Sequence, residues 1–201
     1  MRKTLEQFLA NNPKKYLIFD FDKTLFELHL PWGEYLDATY DILRAYDADF
    51  FDAKATKDET NYQLINKYTK EFGPEPRDLA LAYAKKFEVE QLEGVSECSE
   101  QLAFLQAHKK DYLYYLWTSN CITSVEPILT ENNLSSLFKL KVGRDTVTYC
   151  KPDPDGFNQI KEHVRAHSDP TAQLSDFLMI GDSNSDEGAA YHSGIDFYRV
   201  E

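Results

Sequence analysis

The segment Tyr16-Leu17-Ile18-Phe19-Asp20-Phe21-Asp22-Lys23-Thr24-Leu25 constrains this chain more than any other. Four apolar residues run directly into two acids, after Pro13-Lys14-Lys15 and before a polar Asp-x-Asp-x-Thr turn. A short unbroken apolar run bounded in this way reads as a strand buried on both faces, and such strands belong to parallel sheets. Ligands of α/β sheets bind beyond the carboxyl ends of the strands, which is where Asp20 and Asp22 fall. Side chains alternate along extended backbone, so the two carboxylates share one side and Phe21 turns away. Acids this close repel and need a cation, a proton or both. A hard divalent ion such as Mg²⁺ suits oxygen ligands and substrate phosphates.

Three later segments carry the same kind of signal. Tyr112-Leu113-Tyr114-Tyr115-Leu116-Trp117 is a second apolar strand, and it stops on the hydroxyls and amide of Thr118-Ser119-Asn120. Cys150-Lys151-Pro152-Asp153-Pro154 presents a lysine beside two prolines and ahead of an amphipathic helix. Phe177-Leu178-Met179-Ile180 opens into Gly181-Asp182-Ser183-Asn184-Ser185-Asp186, a glycine turn with two further acids. Each alone reads equally well as a helix cap or a solvated loop. Their order and spacing in one chain are what those readings do not supply.

The ordered set resembles the haloacid dehalogenase superfamily, in its phosphatase branch with a helical cap inserted after the first motif, as in phosphoglycolate phosphatase-like proteins. Asp20-Phe21-Asp22-Lys23-Thr24 matches the Asp-x-Asp-x-Thr motif, and Thr118 the strand-end Thr/Ser. Lys151 matches the third motif, and Gly181-Asp182-Ser183-x-x-Asp186 the Gly-Asp-x-x-x-Asp motif. The likeness covers roughly residues 14 to 27 and 94 to 200. Lys23 departs from the pattern where glycine is commoner, at a position that mainly contributes backbone. Glu27-Leu28 departs where many close relatives carry Asp-Ser.

The resemblance implies an α/β fold: a Rossmann-like parallel sheet core with a small all-helical cap. It implies a Mg²⁺-dependent phosphatase that hydrolyses a small phosphate monoester through an aspartyl-phosphate. Asp20 is the expected nucleophile, and Asp22 the acid that protonates the leaving oxygen and later the base for water. Thr118, with Ser119 or Asn120, and Lys151 are expected on the phosphoryl oxygens. The metal ligands expected are Asp20, the backbone carbonyl of Asp22, and Asp182, with Asp186 orienting a metal-bound water or Lys151. A phosphotransferase or sugar-phosphate mutase would use the same aspartyl-phosphate. A binding or regulatory protein that retains the fold is the reading from another class, although such chains usually show damage among the acids.

Composition limits the partners. At 201 residues the chain holds one full core and a small second lobe, and 42% hydrophobic residues suit a packed core. A formal charge of −12 argues against a nucleic-acid surface or an anionic membrane. No apolar run approaches the roughly 20 residues that span a bilayer, and the first ten residues are too polar for a signal peptide. Leu5, Phe8 and Leu9 have the spacing of a short docking helix. Three cysteines, Cys98, Cys121 and Cys150, without a Cys-x-x-Cys pair, suit a reducing cytoplasm. Cys121 and Cys150 flank two motifs, which raises oxidative regulation as a possibility. The five histidines show no metal-ligand spacing. A small phosphorylated metabolite is the expected partner, bound by a monomer or homodimer.

Along the chain, residues 1–27 and 94–201 read as the core and 28–93 as the cap, without strand signals in the cap. A first cap helix opens at Pro31 with Trp32, Tyr35, Leu36, Thr39, Ile42, Leu43 and Tyr46 on one face. A second is predicted from near Asp58 to Gly73-Pro74 with Tyr62, Ile65, Tyr68 and Phe72 on its stripe, and a third from about Arg77 to Val89 with Leu79, Tyr83 and Phe87 on its own. The aromatic stripes read as bundle packing. In the core, helices are predicted near 96–107, 124–132 and 154–167, and strands at 112–117, 137–142, 177–180 and, at an edge, 196–200. Glu27, His29, Trp32 and Glu34 near the first crossing, and Arg44, Lys54 and Lys57 beyond it, are the candidates for selectivity.

Overall fold

The computed structural model describes residues 4–57 and 59–200. A short helix α1 (Leu5–Asn11) precedes strand β1 (Tyr16–Phe19). Strand β2 (Phe26–His29) leads out to helices α2 (Trp32–Tyr46), α3 (Ala48–Lys54), α4 (Asn61–Phe72) and α5 (Glu75–Glu90). The chain returns through β3 (Gly94–Glu97), then α6 (Ser99–Ala107), β4 (Leu113–Trp117), α7 (Ile122–Glu131) and β5 (Phe138–Val142). Helix α8 (Asp155–His167), β6 (Phe177–Gly181), α9 (Asn184–Ser193) and β7 (Asp196–Arg199) complete it.

Five strands form one parallel sheet in the order β5-β4-β1-β6-β7. All four residues of β1 are buried because it lies at the centre with helices over both faces. Leu17 and Phe19 pack with α1, α6 and α7 on one face. Tyr16 and Ile18 pack with α8 and α9 on the other. The strand alternation expected from the sequence is therefore spent on two different apolar layers. The predicted last strand is β7, at an edge.

Three elements differ from the sequence reading. Phe26–His29 and Gly94–Glu97 pair antiparallel, where no cap strand and an early start to α6 were expected. Each is only four residues long; β2 buries Phe26 and Leu28 between exposed Glu27 and His29, and β3 is mostly exposed, so neither is long enough to show a decisive period. Helix α3 is the third, an extra element between the first two predicted cap helices. Its seven residues bury only Phe51, too little for a visible period. The predicted start at Asp58 falls on a residue outside the described ones. Thr60 caps α4 instead, with its hydroxyl accepting from the Gln63 amide and the Gln63 side chain reaching back. Such a box contributes about 1 kcal/mol.

Helices α2 to α5 bury Leu43, Phe51, Leu64, Ile65, Tyr68 and Ala80 among themselves. Tyr46, Phe50, Tyr68 and Phe72 make edge and tilted ring contacts there, with centroids 4.8 to 6.3 Å apart. Tyr68 and Phe72 of the α4 stripe are thus bundle packing. On α5, Ala80 and Ala84 are buried where Leu79 was expected, and Leu79 is half exposed. Alanines let α5 approach its neighbours closely. Tyr35, Ala84 and Phe87 join the apolar layer of the sheet, so the lobe and the core share one interior.

Candidate active site

Register brings the motifs together. Phe19 of β1 lies beside Leu116 of β4 and Ile180 of β6. The residues that follow those three strands, Asp20, Thr118 to Asn120 and Asp182, therefore emerge side by side. Asp20 is anchored by its amide, which donates to the Ile180 carbonyl at 2.9 Å. Phe21 turns into the core and stacks on Phe26, centroids 5.3 Å apart. Lys23 follows with a left-handed φ of +56°, which accounts for glycine being the easier residue there.

Lys151 reaches the same point from the loop before α8. Its buried ammonium donates to Asp20 Oδ1 at 2.7 Å, the Trp117 carbonyl at 2.8 Å and Asp186 Oδ1 at 2.5 Å. Burial opposes its charge, but the two carboxylates outweigh that and raise its pKa. Asp186 is set by local capping: Ser183 caps α9, and its amide and hydroxyl donate to Asp186 Oδ2 at 3.1 and 2.6 Å. Asp186 also lies close over Gly181. A Cβ on that glycine would come within 2.6 Å of the Asp186 carboxyl carbon.

Asp20, Asp182 and Asp186 each offer a carboxylate oxygen within 4.8 Å of the others. Three acids against one lysine leave surplus negative charge. Burial and then the Asp186 carboxylate hold Asp20 above its ordinary range, and the same two causes raise Asp182. An all-oxygen, electron-rich donor set of this kind fits a hard divalent cation. Among the described residues no histidine or cysteine belongs to such a group. Asp22 stands apart from the three. Its Oδ1 accepts from the Leu28 amide at 2.8 Å, and burial pushes its pKa up to about 6.

A cleft of about 290 Å³ opens over this cluster. Asp20, Asp22, Lys151, Asp182 and Asp186 line it, as do both Ser119 and Asn120. Thr118 is buried behind them: its hydroxyl donates to Asn120 Oδ1 at 3.0 Å and accepts from the Asn120 amide. Trp32, Thr60 and Tyr62 of the helical lobe close the opposite wall. Of the lobe candidates, only Trp32 lines it. Glu27 and His29 are exposed on β2, where His29 meets Ser96 at 2.9 Å. Glu34 is exposed, Arg44 and Lys57 line a separate groove, and Lys54 stands over the Phe50 ring. The sequence places Tyr62 on the packing stripe of α4, and Thr60 is the cap of that helix, so neither carries a site signal of its own; the structure puts both at the cleft. Cys121 and Cys150 are both buried, and burial pushes the Cys121 thiol up to about 12. That environment is the reverse of a reactive cysteine's.

A family model described as "Haloacid dehalogenase-like hydrolase" matches residues 17–200. No curated protein matches the chain. Among solved structures, a HAD-superfamily hydrolase of subfamily IA from Geobacter sulfurreducens aligns at 18% identity and TM-score 0.54, covering 92% of this chain and 86% of the other. YfnB from Bacillus subtilis, crystallised bound to magnesium, aligns at 20% and 0.52, covering 92% and 85%. A predicted phosphoglycolate phosphatase from Haemophilus somnus aligns at 18% and 0.51, covering 92% and 84%. At these identities the likeness is one of fold.

Proposed function

The chain belongs to the haloacid dehalogenase-like hydrolases, and we propose that it is a phosphatase acting on a small phosphate monoester, with Asp20 as nucleophile. The observation that carries this reading is the convergence of Asp20, Lys151, Asp182 and Asp186 at the carboxyl ends of β1 and β6, with Ser119 and Asn120 facing them across one cleft. No helix among the described residues is long and apolar enough to cross a membrane.

In this reading the Asp20 carboxylate is ionised once the surplus charge of the three acids is offset by a cation. It attacks phosphorus, the bond to the ester oxygen breaks, and that oxygen takes the proton of Asp22. Water then attacks the aspartyl-phosphate, gives its proton to Asp22, and the bond to Asp20 breaks to release phosphate. Asp22 suits both tasks, because a pKa raised to about 6 by burial leaves both forms accessible near neutrality. Lys151 holds Asp20 in place and supplies positive charge beside the phosphoryl group. Ser119 and Asn120 would donate to its oxygens. Mg²⁺, held by Asp20, Asp182 and the Asp22 backbone carbonyl, would supply charge neutralisation for the phosphoryl oxygens. Asp186 then serves chiefly by orienting Lys151, since its two oxygens are occupied by Lys151 and Ser183. The magnesium-bound relative and the phosphatase relative support this choice.

The division into a core of residues 1–27 and 94–201 and a cap of 28–93 belongs to the same reading. Trp32 and Tyr62 would then make the cap the source of selectivity. A panel of phosphorylated metabolites with Mg²⁺, assayed for phosphate release, tests the proposal. Release by the wild type and none by Asp20→Asn is expected. Release that survives Asp20→Asn would remove the nucleophile from the scheme.

A further inference from the structure

Arg144 is a buried arginine that the scheme above does not use. It follows β5, on the sheet side of the molecule, and it is 3% exposed. Its Nε donates to the Ser119 carbonyl at 2.7 Å, and its own amide donates to the Asn120 carbonyl at 3.0 Å. The rest of the guanidinium faces the helical lobe. Nη1 donates to the Tyr35 hydroxyl of α2, and Nη2 to the Tyr62 hydroxyl of α4 at 2.8 Å. Nη2 also lies 3.0 Å from Glu88 Oε1 of α5, a carboxylate that is itself 1% exposed. The rings of Tyr35 and Tyr62 lie 5.1 and 4.8 Å from the guanidinium carbon.

Glu88 completes the circuit. Its other oxygen accepts from the Cys121 amide at 2.9 Å and from the Ser124 hydroxyl. Asp145, the residue after Arg144, accepts from the Ile122 amide at 2.8 Å. Four consecutive residues, Ser119 to Ile122, therefore have a backbone group held by Arg144, Asp145 or Glu88. Gly143 allows the close approach: a Cβ there would come within 2.8 Å of the Asn120 carbonyl oxygen.

We propose that Arg144 is a positioning residue for the loop bearing Ser119 and Asn120, making the order of that loop depend on the seating of α2, α4 and α5. The effect on turnover rests on the phosphatase reading; the effect on loop order does not. Arg144 lies outside the cleft and acts through the loop. Donors aimed at a phosphoryl group work by being fixed beforehand, because reorganising them costs free energy at the moment of reaction. A planar guanidinium can hold a carbonyl on one edge and three lobe partners on the other, which a single ammonium cannot do. If the lobe lifts away, three of the side chain's four partners leave with it, and Cys121 loses Glu88. Loop order and lobe position are then one two-state element.

The test compares wild type, Arg144→Lys and Tyr35→Phe by hydrogen exchange, read peptide by peptide, and by kinetics on p-nitrophenyl phosphate with Mg²⁺. Exchange at residues 118–122 is expected to rise roughly tenfold in Arg144→Lys while β1 and β6 keep their rates. KM is expected to rise and kcat to fall, each by about tenfold, with the Mg²⁺ concentration for half-maximal thermal stabilisation unchanged. Tyr35→Phe, which removes one lobe hydroxyl, should move the same quantities about two- to fivefold. Wild-type exchange at 118–122 in a folded Arg144→Lys protein would overturn the proposal, as would a uniform rise across every element. Should Arg144→Lys fail to fold, Tyr35→Phe is judged by the same criteria. A wild type that hydrolyses no ester would end the phosphatase reading, and the exchange data would still decide the role of Arg144.

Discussion

Replacing Asp20 with asparagine separates stability from turnover. Asp20, Asp182 and Asp186 set three acids against the single positive charge of Lys151. Burial, with the Asp186 carboxylate next, pushes the Asp20 carboxyl up to about 8. The folded protein therefore holds this proton more tightly than the unfolded chain. Stability from the group is complete below about pH 4 and is lost as pH rises toward 8. A displacement of that size corresponds to at most about 5 kcal/mol. Asparagine cannot ionise and escapes the loss, and its Oδ1 can still accept from the Lys151 ammonium, but its buried amide N–H brings a donor where the carboxylate brought an acceptor, which costs about 1–2 kcal/mol. The net expectation is a variant more stable near pH 8 by at most about 3–4 kcal/mol, which is at most roughly 6–16 °C in Tm for a chain of this size. Near pH 4 the gain disappears and a small deficit remains. Thermal unfolding of both proteins across this range in a chelating buffer measures the difference, and phosphate release measures turnover, which should be lost. A Tm difference independent of pH, or a variant less stable near pH 8, would refute the reasoning.

Further outcomes follow from single contacts. Gly181→Ala places a Cβ against Asp186; it should cost about 1–3 kcal/mol in urea unfolding and lower kcat by displacing Asp186 and with it Lys151. Activity on alkyl phosphates, whose leaving oxygen needs a proton, should decline above about pH 6 as Asp22 ionises. Asp22→Asn should abolish that limb and lower kcat by about 10²–10⁴, and an unchanged profile would remove Asp22 from the role of acid. Lys23→Asn relieves a left-handed lysine and should raise stability by up to about 1 kcal/mol by thermal melt. Mg²⁺ should raise the Tm of the wild type more than that of Asp182→Asn, which lacks one carboxylate of the cluster.

The acids announced themselves in the sequence because each site segment is an apolar run that ends in a short polar turn. Tyr16–Phe19 and Phe177–Gly181 are buried on both faces, so they must be nearly all apolar, and the polar residues stand out where the strands stop. The longer helices were legible for a similar reason, their buried faces repeating along the chain. Helix α3 and the β2–β3 pair were not, since elements of four to seven residues leave little hydrophobic period to read.

What tertiary structure alone decided is which polar groups face one another. Lys151 sits between Asp20 and Asp186 because the loop before α8 passes the ends of β1 and β6. Asp22 is turned to the Leu28 amide, while Ser119 and Asn120, rather than the Thr118 hydroxyl, face the cleft. Arg144 shows the limit most plainly. Its partners Tyr35, Tyr62 and Glu88 lie 109, 82 and 56 positions away by residue number, on three separate helices. A local pattern records how each segment buries its own surface. The pairing of a buried charge depends on where distant segments come to rest, and that is fixed only when the lobe packs against the sheet.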